Sequence, residues 1–429
     1  MRVAFYTLGC KVNQYETQVL REEFVRLGHT AIDEKGEFDC IVINSCTVTA
    51  ESDRKTRQTL RKFRRANPNA IIVLTGCMVQ AFGQESAQLL EADIIVGNTD
   101  IKKIPQLAEQ FLREGKRIVS IEPHIKKERF NTPQIQFFAE RTRAYMKIQD
   151  GCERFCTYCI IPTARGFVRS KSCEDIKAEA EILAKNGFTE IVLVGINLTS
   201  YGKGENLDLA DAVDAVCSVE GIKRVRLGSL EPDHISDEML LRFKKQEKFC
   251  PQFHLSLQSG CDETLKRMNR HYDTAFYYDL VQRIRKTFEN SAITTDIMVG
   301  FAGETEEEFQ QSLAFLKKIG FAKTHVFAYS RRKGTFAYSL PNQVSNVTKA
   351  ERSGIMIEAA AKLEEKFLNN QTNITQEVLF ETEKDGAYYG FTKNYSRVCV
   401  KSEKDIRGKF CLVNIISAHK DICYGKIEN

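Results

Sequence analysis

Gly151-Cys152-Glu153-Arg154-Phe155-Cys156-Thr157-Tyr158-Cys159 carries three cysteines in the spacing C-x3-C-x2-C. It lies directly behind an apolar-alternating run, Tyr145-Met146-Lys147-Ile148-Gln149, that reads as a β-strand. Three thiolates on one tight loop can hold three irons of a cubane cluster, because iron–sulfur clusters are bound by cysteine sulfur. The fourth iron then lacks a protein ligand and is open to a small molecule, to which it can pass an electron. Two other readings fit the spacing. Residues at i, i+4 and i+7 could be a chance stripe on a helix, and a zinc ion could take the three thiolates. A closed structural zinc site wants four ligands, and no fourth cysteine or histidine stands nearby in sequence.

Upstream of this loop, Val3–Tyr6, Cys40–Ile43, Ile71–Leu74 and Ile94–Val96 read as strands. Helical patterns lie between them near Gln14–Leu27, Glu51–Ala66, Gln84–Leu90 and Ile101–Leu112, with Gly28 where a helix would stop. Such βαβα order predicts a Rossmann-like parallel sheet with helices on both faces. Cys10, Cys46 and Cys77 each follow a strand. In open parallel sheets ligands bind outside the carboxyl ends of the strands, so these three thiols can converge on a second iron–sulfur cluster. Three buried structural cysteines are the alternative, and Cys40, at a strand start, is read that way. Arg54, Lys55, Arg57, Arg61, Lys62, Arg64 and Arg65 gather on one predicted helix, suited either to a phosphate backbone or to plain solvation. Arg113 to Arg143 reads as a charged connector.

Downstream, strands are predicted at Ile191–Val194, Val225–Leu227, Phe253–Leu257, Ile293–Met298 and Thr324–Phe327. With the strand before the cysteine loop they make six that alternate with helices, a partial (β/α)6 barrel. Ser172-x-x-Asp175 and Thr305-x-x-Glu308 read as capping boxes. Chemistry in such barrels sits at the C-terminal strand ends. Asn197, Ser229, Glu231, Gln258, Asp296 and Gly300 belong to that rim and are candidates for holding a cofactor or substrate, or are simply turn and cap residues.

A long helix over Lys349–Asn370 precedes four short strands, Glu377–Glu381, Tyr388–Thr392, Arg397–Val400 and Leu412–Ile416. They suit a small OB-like β-barrel. Tyr388, Tyr389, Phe391, Tyr395 and Phe410 could stack on bases, with Lys393 and Arg397 on phosphates; alternatively the aromatics fill the barrel core. The expected domains are 1–115, 138–368 and 371–429.

Composition sets the bounds. The 429 residues suit about two to four domains. No apolar run reaches the roughly 18 residues that span a membrane, and the opening strand leaves no room for a signal peptide. Fourteen cysteines without a secretion signal point to metal or redox use in the cytoplasm rather than to disulfides. Net charge of +5 is too mild to imply nucleic acid by itself.

The Cys152–Cys156–Cys159 triad resembles the signature of the radical S-adenosylmethionine (SAM) enzymes. The whole chain resembles the methylthiotransferase family, in Thr7-Leu8-Gly9-Cys10-Lys11-Val12-Asn13, Asn44-Ser45-Cys46-Thr47-Val48-Thr49, Leu74-Thr75-Gly76-Cys77, Ala164-Arg165-Gly166 and Gly303-Glu304-Thr305. It departs from the family at Ala302 and Lys333, where proline is expected, and at Lys171, where arginine is commoner. The resemblance implies three domains: an N-terminal methylthiotransferase domain, a radical SAM core and a C-terminal TRAM domain. It implies two 4Fe-4S clusters, an auxiliary one on Cys10, Cys46 and Cys77 and a radical one on Cys152, Cys156 and Cys159, with SAM near Asn197, Ser229, Gln258 and Asp296. There SAM would be cleaved to a deoxyadenosyl radical, and a methylthio group passed from the auxiliary cluster to C2 of an adenosine. The N-terminal motif is most similar to the branch acting on N6-threonylcarbamoyladenosine at position 37 of tRNA, next to the anticodon. Relatives act on isopentenyladenosine in tRNA or on an aspartate of a ribosomal protein. The implied partners are a tRNA anticodon stem-loop, met by Tyr389, Phe391, Lys393 and Arg397, an electron donor such as flavodoxin or ferredoxin, and a sulfur source. A noncatalytic RNA-binding iron–sulfur protein is the reading from another class.

Overall fold

Cys40-Ile41-Val42-Ile43 and Ile71-Ile72-Val73-Leu74 are unbroken apolar runs, as strands buried on both faces require. In the computed structural model, which describes residues 1–137 and 142–428, they form the centre of a six-stranded sheet. Its strands are β1 (Arg2–Thr7), β2 (Thr30–Ile32), β3 (Cys40–Ser45), β4 (Ile71–Gly76), β5 (Ile94–Val96) and β6 (Ile118–Ser120). They run in the order β2-β1-β3-β4-β5-β6, every neighbouring pair parallel. Helices α1 (Lys11–Arg26) and α5 (Ile104–Glu114) cover the face bearing Val42 and Val73. Helix α2 (Ala50–Ala66) and the short α3 (Cys77–Ala81) cover the face bearing Ile41, Ile43, Ile72 and Leu74, and α4 (Gly83–Ala87) follows α3. The expected helix over Gln84–Leu90 is the shorter α4, and α3 before it, begun at Cys77 itself, was not expected. The expected connector from 113 is partly structured, because Ile118–Ser120 pairs with β5 and carries the sheet past residue 115. The expected start of the second domain, residue 138, lies outside the described residues.

The cysteine-loop strand β7 (Arg143–Lys147) opens a second series. Two short pairing segments, β8 (Gln149–Asp150) and β9 (Arg169–Ser170), clasp the cysteine loop and helix α6 (Ile161–Arg165) between them. Strands β10 (Glu190–Val194), β11 (Arg224–Leu227), β12 (Ser229–Leu230), β13 (Gln252–Leu255), β14 (Ala292–Val299) and β15 (Lys323–Ala328) follow. Neighbours in order are β7-β10-β11 and β12-β13-β14-β15, all parallel. β11 and β12 are two halves of one strand, broken at Gly228, whose N–H still bonds to the Leu193 carbonyl at 2.8 Å. The result is six strands in an open barrel, covered outside by α7 (Cys173–Lys185), α8 (Leu209–Cys217), α9 (Asp237–Lys245), α10 (Asp262–Arg267), α11 (Thr274–Thr287) and α12 (Glu306–Ile319). Thr305 and Glu308 form the full capping box of α12, whereas Ser172 caps α7 without the reciprocal bond.

Helix α13 (Asn346–Asn369) lies along β15 and leads into a closed five-stranded barrel, β16 (Thr375–Lys384), β17 (Ala387–Thr392), β18 (Arg397–Lys401), β19 (Phe410–His419) and β20 (Ile422–Ile427), in the order β16-β17-β18-β20-β19. Val378, Phe380, Val398, Val413 and Ile415 fill it, all inaccessible to solvent. Four strands were expected; β20 closes the cylinder. Among the described residues, no helix is long and apolar enough to cross a membrane.

Candidate active site

β1, β3 and β4 end in register: Thr7 faces Asn44, and Ser45 faces Gly76. The three cysteines therefore leave one sheet edge together. Cys10 caps the start of α1, Cys46 follows β3 directly, and Cys77 begins α3. Gly9 and Gly76 both have positive φ (114° and 99°), and a Cβ on Gly76 would strike the Ser45 backbone. The Asn13 amide bonds to Asn44 Oδ1 and to the Ser45 carbonyl, each at 3.1 Å, tying α1 to this edge. Cys46 and Cys77 are buried, while Cys10 is exposed. Burial pushes the Cys46 thiol up and the Cys77 thiol up to about 12. These sulfurs hold their protons until a cation displaces them.

The Cys152–Cys159 loop is set by backbone strain and by neighbours. Gly151 (φ 77°) turns the chain where a side chain would collide with the Phe167 carbonyl. Asp150 receives the Gly151 N–H at 2.8 Å, and the Cys152 N–H reaches the Gly166 carbonyl at 3.0 Å. Phe155 takes φ 51°, a conformation bulky residues avoid, and the Asn269 side chain holds its carbonyl at 3.2 Å. Arg270 donates to Cys156 Sγ at 3.1 Å and also binds Glu231. The Asn197 amide lies 3.9 Å from Cys152 Sγ. Burial raises Cys152 to about 11 and Cys159 further.

Both donor sets suit a cubane better than a single ion. Zinc at about 2.3 Å from each sulfur would draw its ligands tightly together. Among the described residues, the group whose ligand atoms lie within 4.8 Å of one another is His254, Asp296 and His325, and neither cysteine set is so close. All fourteen thiols are free of disulfides.

A buried ionic chain joins the two edges. Arg165, on α6, has no solvent exposure. Its Nε donates to Cys77 Sγ at 3.1 Å, and its other nitrogens grip both Glu16 oxygens. Lys147 Nζ bonds to Glu16 at 2.8 Å and to Asp150 at 2.5 Å, and Arg169 reaches Asp150 at 3.1 Å. Burial alone would raise both carboxyls, but the cations outweigh it and hold Glu16 and Asp150 below the usual carboxylate range.

A cavity of about 800 Å³ opens between the three parts of the chain. Cys10 and Lys11 line it from the sheet edge, Gly195, Ser229 and His325 from the barrel, and Tyr389 and Arg397 from the C-terminal strands. The Cys152–Cys159 loop is not in its wall, although Asn197 beside Cys152 stands two residues beyond Gly195.

The rim residues separate. Asn197 and, through Arg270, Glu231 reach the cysteine loop, and Ser229 lines the cavity. Gln258 (φ 71°) bridges β14 through its backbone to Asp296 and Met298. The Asp296 carboxylate turns to His254, 3.3 Å away. Gly300 donates to Glu304 at 2.8 Å. On the C-terminal barrel, Tyr388 is core, while Phe391 stacks on Tyr395 (4.5 Å between centroids) beneath Arg143, with Arg226 over Tyr395. Phe410 lies under Arg224, Lys393 bonds to the Glu247 carbonyl at 2.9 Å, and Arg397 lies over Tyr389 and 3.5 Å from Asp421. The aromatic and basic residues read as an RNA surface thus partly seal one domain on another. On α2, Arg64 is likewise structural, bound to Asp93 and to three carbonyls. Lys11, Glu16, Lys147, Arg165 and Arg270 carry the site's electrostatics; Lys11 and Arg165 stand inside the family motifs, whereas nothing in the sequence marks Lys147 and Arg270 as part of the site.

A parallel open barrel with three thiols on the loop after its first strand defines a radical SAM enzyme, a class that uses SAM and a 4Fe-4S cluster. Residues 146–316 match the model of the radical SAM superfamily, and residues 2–97 match that of uncharacterized protein family UPF0004. The chain belongs to the radical SAM methylthiotransferases. It is 37% identical over 423 residues, 97% of this chain and 94% of the relative, to threonylcarbamoyladenosine tRNA methylthiotransferase MtaB of Bacillus subtilis. It is 39% identical over 368 residues (86% and 90%) to the enzyme of that name from Aquifex aeolicus. It is 33% identical over 436 residues (99% and 96%) to the tRNA-2-methylthio-N(6)-dimethylallyladenosine synthase of Natranaerobius thermophilus. Among solved structures, the radical SAM methyltransferase TsrM of Kitasatospora setae shares the fold, with a TM-score of 0.57 at 14% identity over 77% of this chain and 76% of that one.

Proposed function

We propose that this chain adds a methylthio group to C2 of N6-threonylcarbamoyladenosine at position 37 of tRNA. The observation that carries this reading is the cavity where the exposed thiol of Cys10 meets the barrel lumen and the C-terminal strands. The branch is taken from the two relatives of that name.

In this reading Cys152, Cys156 and Cys159 hold the cluster that binds SAM, and Cys10, Cys46 and Cys77 hold a second 4Fe-4S cluster. Bound there, these groups supply the one-electron chemistry and the sulfur that an unreactive ring carbon needs. The chain's own residues orient and insulate. Asn197 and Arg270 donate toward the thiolates of the first site, and Arg165 toward Cys77 of the second. Hydrogen bonds to sulfur are one way a protein tunes such a cluster. The C-terminal barrel, as a TRAM domain, and the open face of α2 hold the anticodon stem-loop, and the target base turns into the cavity. An electron donor such as flavodoxin or ferredoxin and a sulfur source complete the cycle, in the cytoplasm. The domains are the N-terminal sheet, the radical SAM core with α13, and the barrel after it.

Nucleoside mass spectrometry of tRNA from cells with and without the gene tests this. The expected result is loss of 2-methylthio-threonylcarbamoyladenosine with accumulation of its precursor. Loss of the isopentenyl analogue instead would move the enzyme to the other tRNA branch. An unchanged nucleoside profile in cells with no redundant enzyme would favour a ribosomal-protein substrate. Failure to form deoxyadenosine from SAM under reducing conditions would leave only an RNA-binding iron–sulfur protein.

A further inference from the structure

The cations around the cavity are nearly all matched. Lys323 pairs with Glu364 at 2.8 Å and Arg397 with Asp421 at 3.5 Å, and Arg143, outside the wall, pairs with the lining Glu381 at 2.5 Å. Lys11 is the exception. Among the described residues its ammonium has no hydrogen bond or ion pair; it stands 5.9 Å from the centre of the Tyr145 ring and lines the cavity beside Cys10. It is held in place, because it is the first residue of α1, whose following residues Val12 and Asn13 are buried. A fixed cation left without a counter-charge in a concave site is matched by an anionic ligand.

Adenine chemistry says which anion. C2 and C6 both flank N1 and N6 is borne on C6, so a base that presents C2 to sulfur held at Cys10 carries its N6 substituent along the adjoining wall. A threonylcarbamoyl group ends in a carboxylate; an isopentenyl group has no charge. We propose that Lys11 is the residue that selects the substrate, by pairing with the carboxylate of the amino-acid substituent on N6. This rests on the functional reading above. An uncharged substituent would strand the ammonium against apolar atoms, so the same residue attracts one substrate and rejects the other.

The test uses reconstituted full-length enzyme, wild type, Lys11→Met and Lys11→Arg, on three anticodon stem-loop RNAs. One carries the threonylcarbamoyl acid, one its methyl ester and one the isopentenyl group. For wild type, esterification is expected to raise KM roughly tenfold or more with a smaller effect on kcat. Lys11→Met is expected to show that same rise on the acid and no further loss on the ester, and Lys11→Arg to keep most of the discrimination. Iron content is measured alongside, since Lys11 adjoins a cluster ligand. Equal KM of wild type for acid and ester overturns the proposal whatever the variants do, as does a Lys11→Met enzyme that keeps the wild-type ratio. A wild type that modifies only the isopentenyl RNA overturns the functional reading itself, and the role of Lys11 with it.

Discussion

Cys40 opens β3 and Cys46 follows its last residue, yet only the second reaches the sheet edge where Cys10 and Cys77 stand. Cys40 enters β3 with no exposure, and burial drives its thiol well above the ordinary range; Cys46 emerges at the strand's end beside Cys10 and Cys77. Replacing Cys46 or Cys77 with alanine should therefore halve the iron retained after anaerobic reconstitution, while Cys40→Ala should leave it unchanged; iron and sulfide assays decide. Glu190 supports a different expectation. Burial would raise its pKa, but Arg226, Arg143 and Arg224 outweigh that and hold it low. Its contribution to stability is complete above the unfolded carboxyl value and fades as pH falls through the lower folded one. Glu190→Gln should cost about 3–5 kcal/mol at pH 7, by leaving buried arginines without their anion. The gap to wild type should close below about pH 4, which denaturant midpoints across that range will show. Cysteine spacing was readable because few roles suit a repeated thiol after a strand. Arg165 and Lys11 stand inside the family motifs, but what they touch was not readable, because a charged residue declares its role only through what surrounds it.

At the level of elements, the strands with long apolar runs were legible and the short ones were not. β6 and β20 contribute three and six residues, β6 with no buried side chain and β20 with only Cys423 buried, so neither shows the contrast between faces that marks a strand. Helix α3 was hidden because it is only five residues long and starts straight from the end of β4. The segment β8–α6–β9 was read as a motif, and the reason for its shape lies in one position. Gly151→Ala requires a left-handed alanine against the Phe167 carbonyl, so the variant should fold with little or no iron on the Cys152–Cys159 loop and form no deoxyadenosine. Near-normal SAM cleavage by that variant would show the loop to be more tolerant than its geometry states.

Across the molecule, the small barrel is fastened by buried arginines. Arg224 donates to the Phe391 and Glu377 carbonyls and Arg226 to those of Lys393 and Thr392. Removal of the chain after Asn370 strips these partners, so it should lower the melting temperature of the remainder as well as weaken RNA binding; an unchanged melting curve would contradict this. RNA binding itself should draw on the exposed Lys55, Lys62 and Arg65 of α2, whose replacement by glutamine should reduce the slope of log affinity against log salt by up to about one per residue. The order of domains was legible from the switch in periodicity, but the way they share one cavity was not, since it depends on which faces meet. That sharing has a consequence for biosynthesis. On the ribosome the sheet edge with its three thiols emerges first, the barrel loop later and Tyr389 and Arg397 near the end. The nascent chain can acquire its sulfur-bearing edge while the chamber that would use it does not yet exist. Arg165 can tie the two edges together as soon as the barrel loop is made, so the last strands add only the wall that closes the chamber.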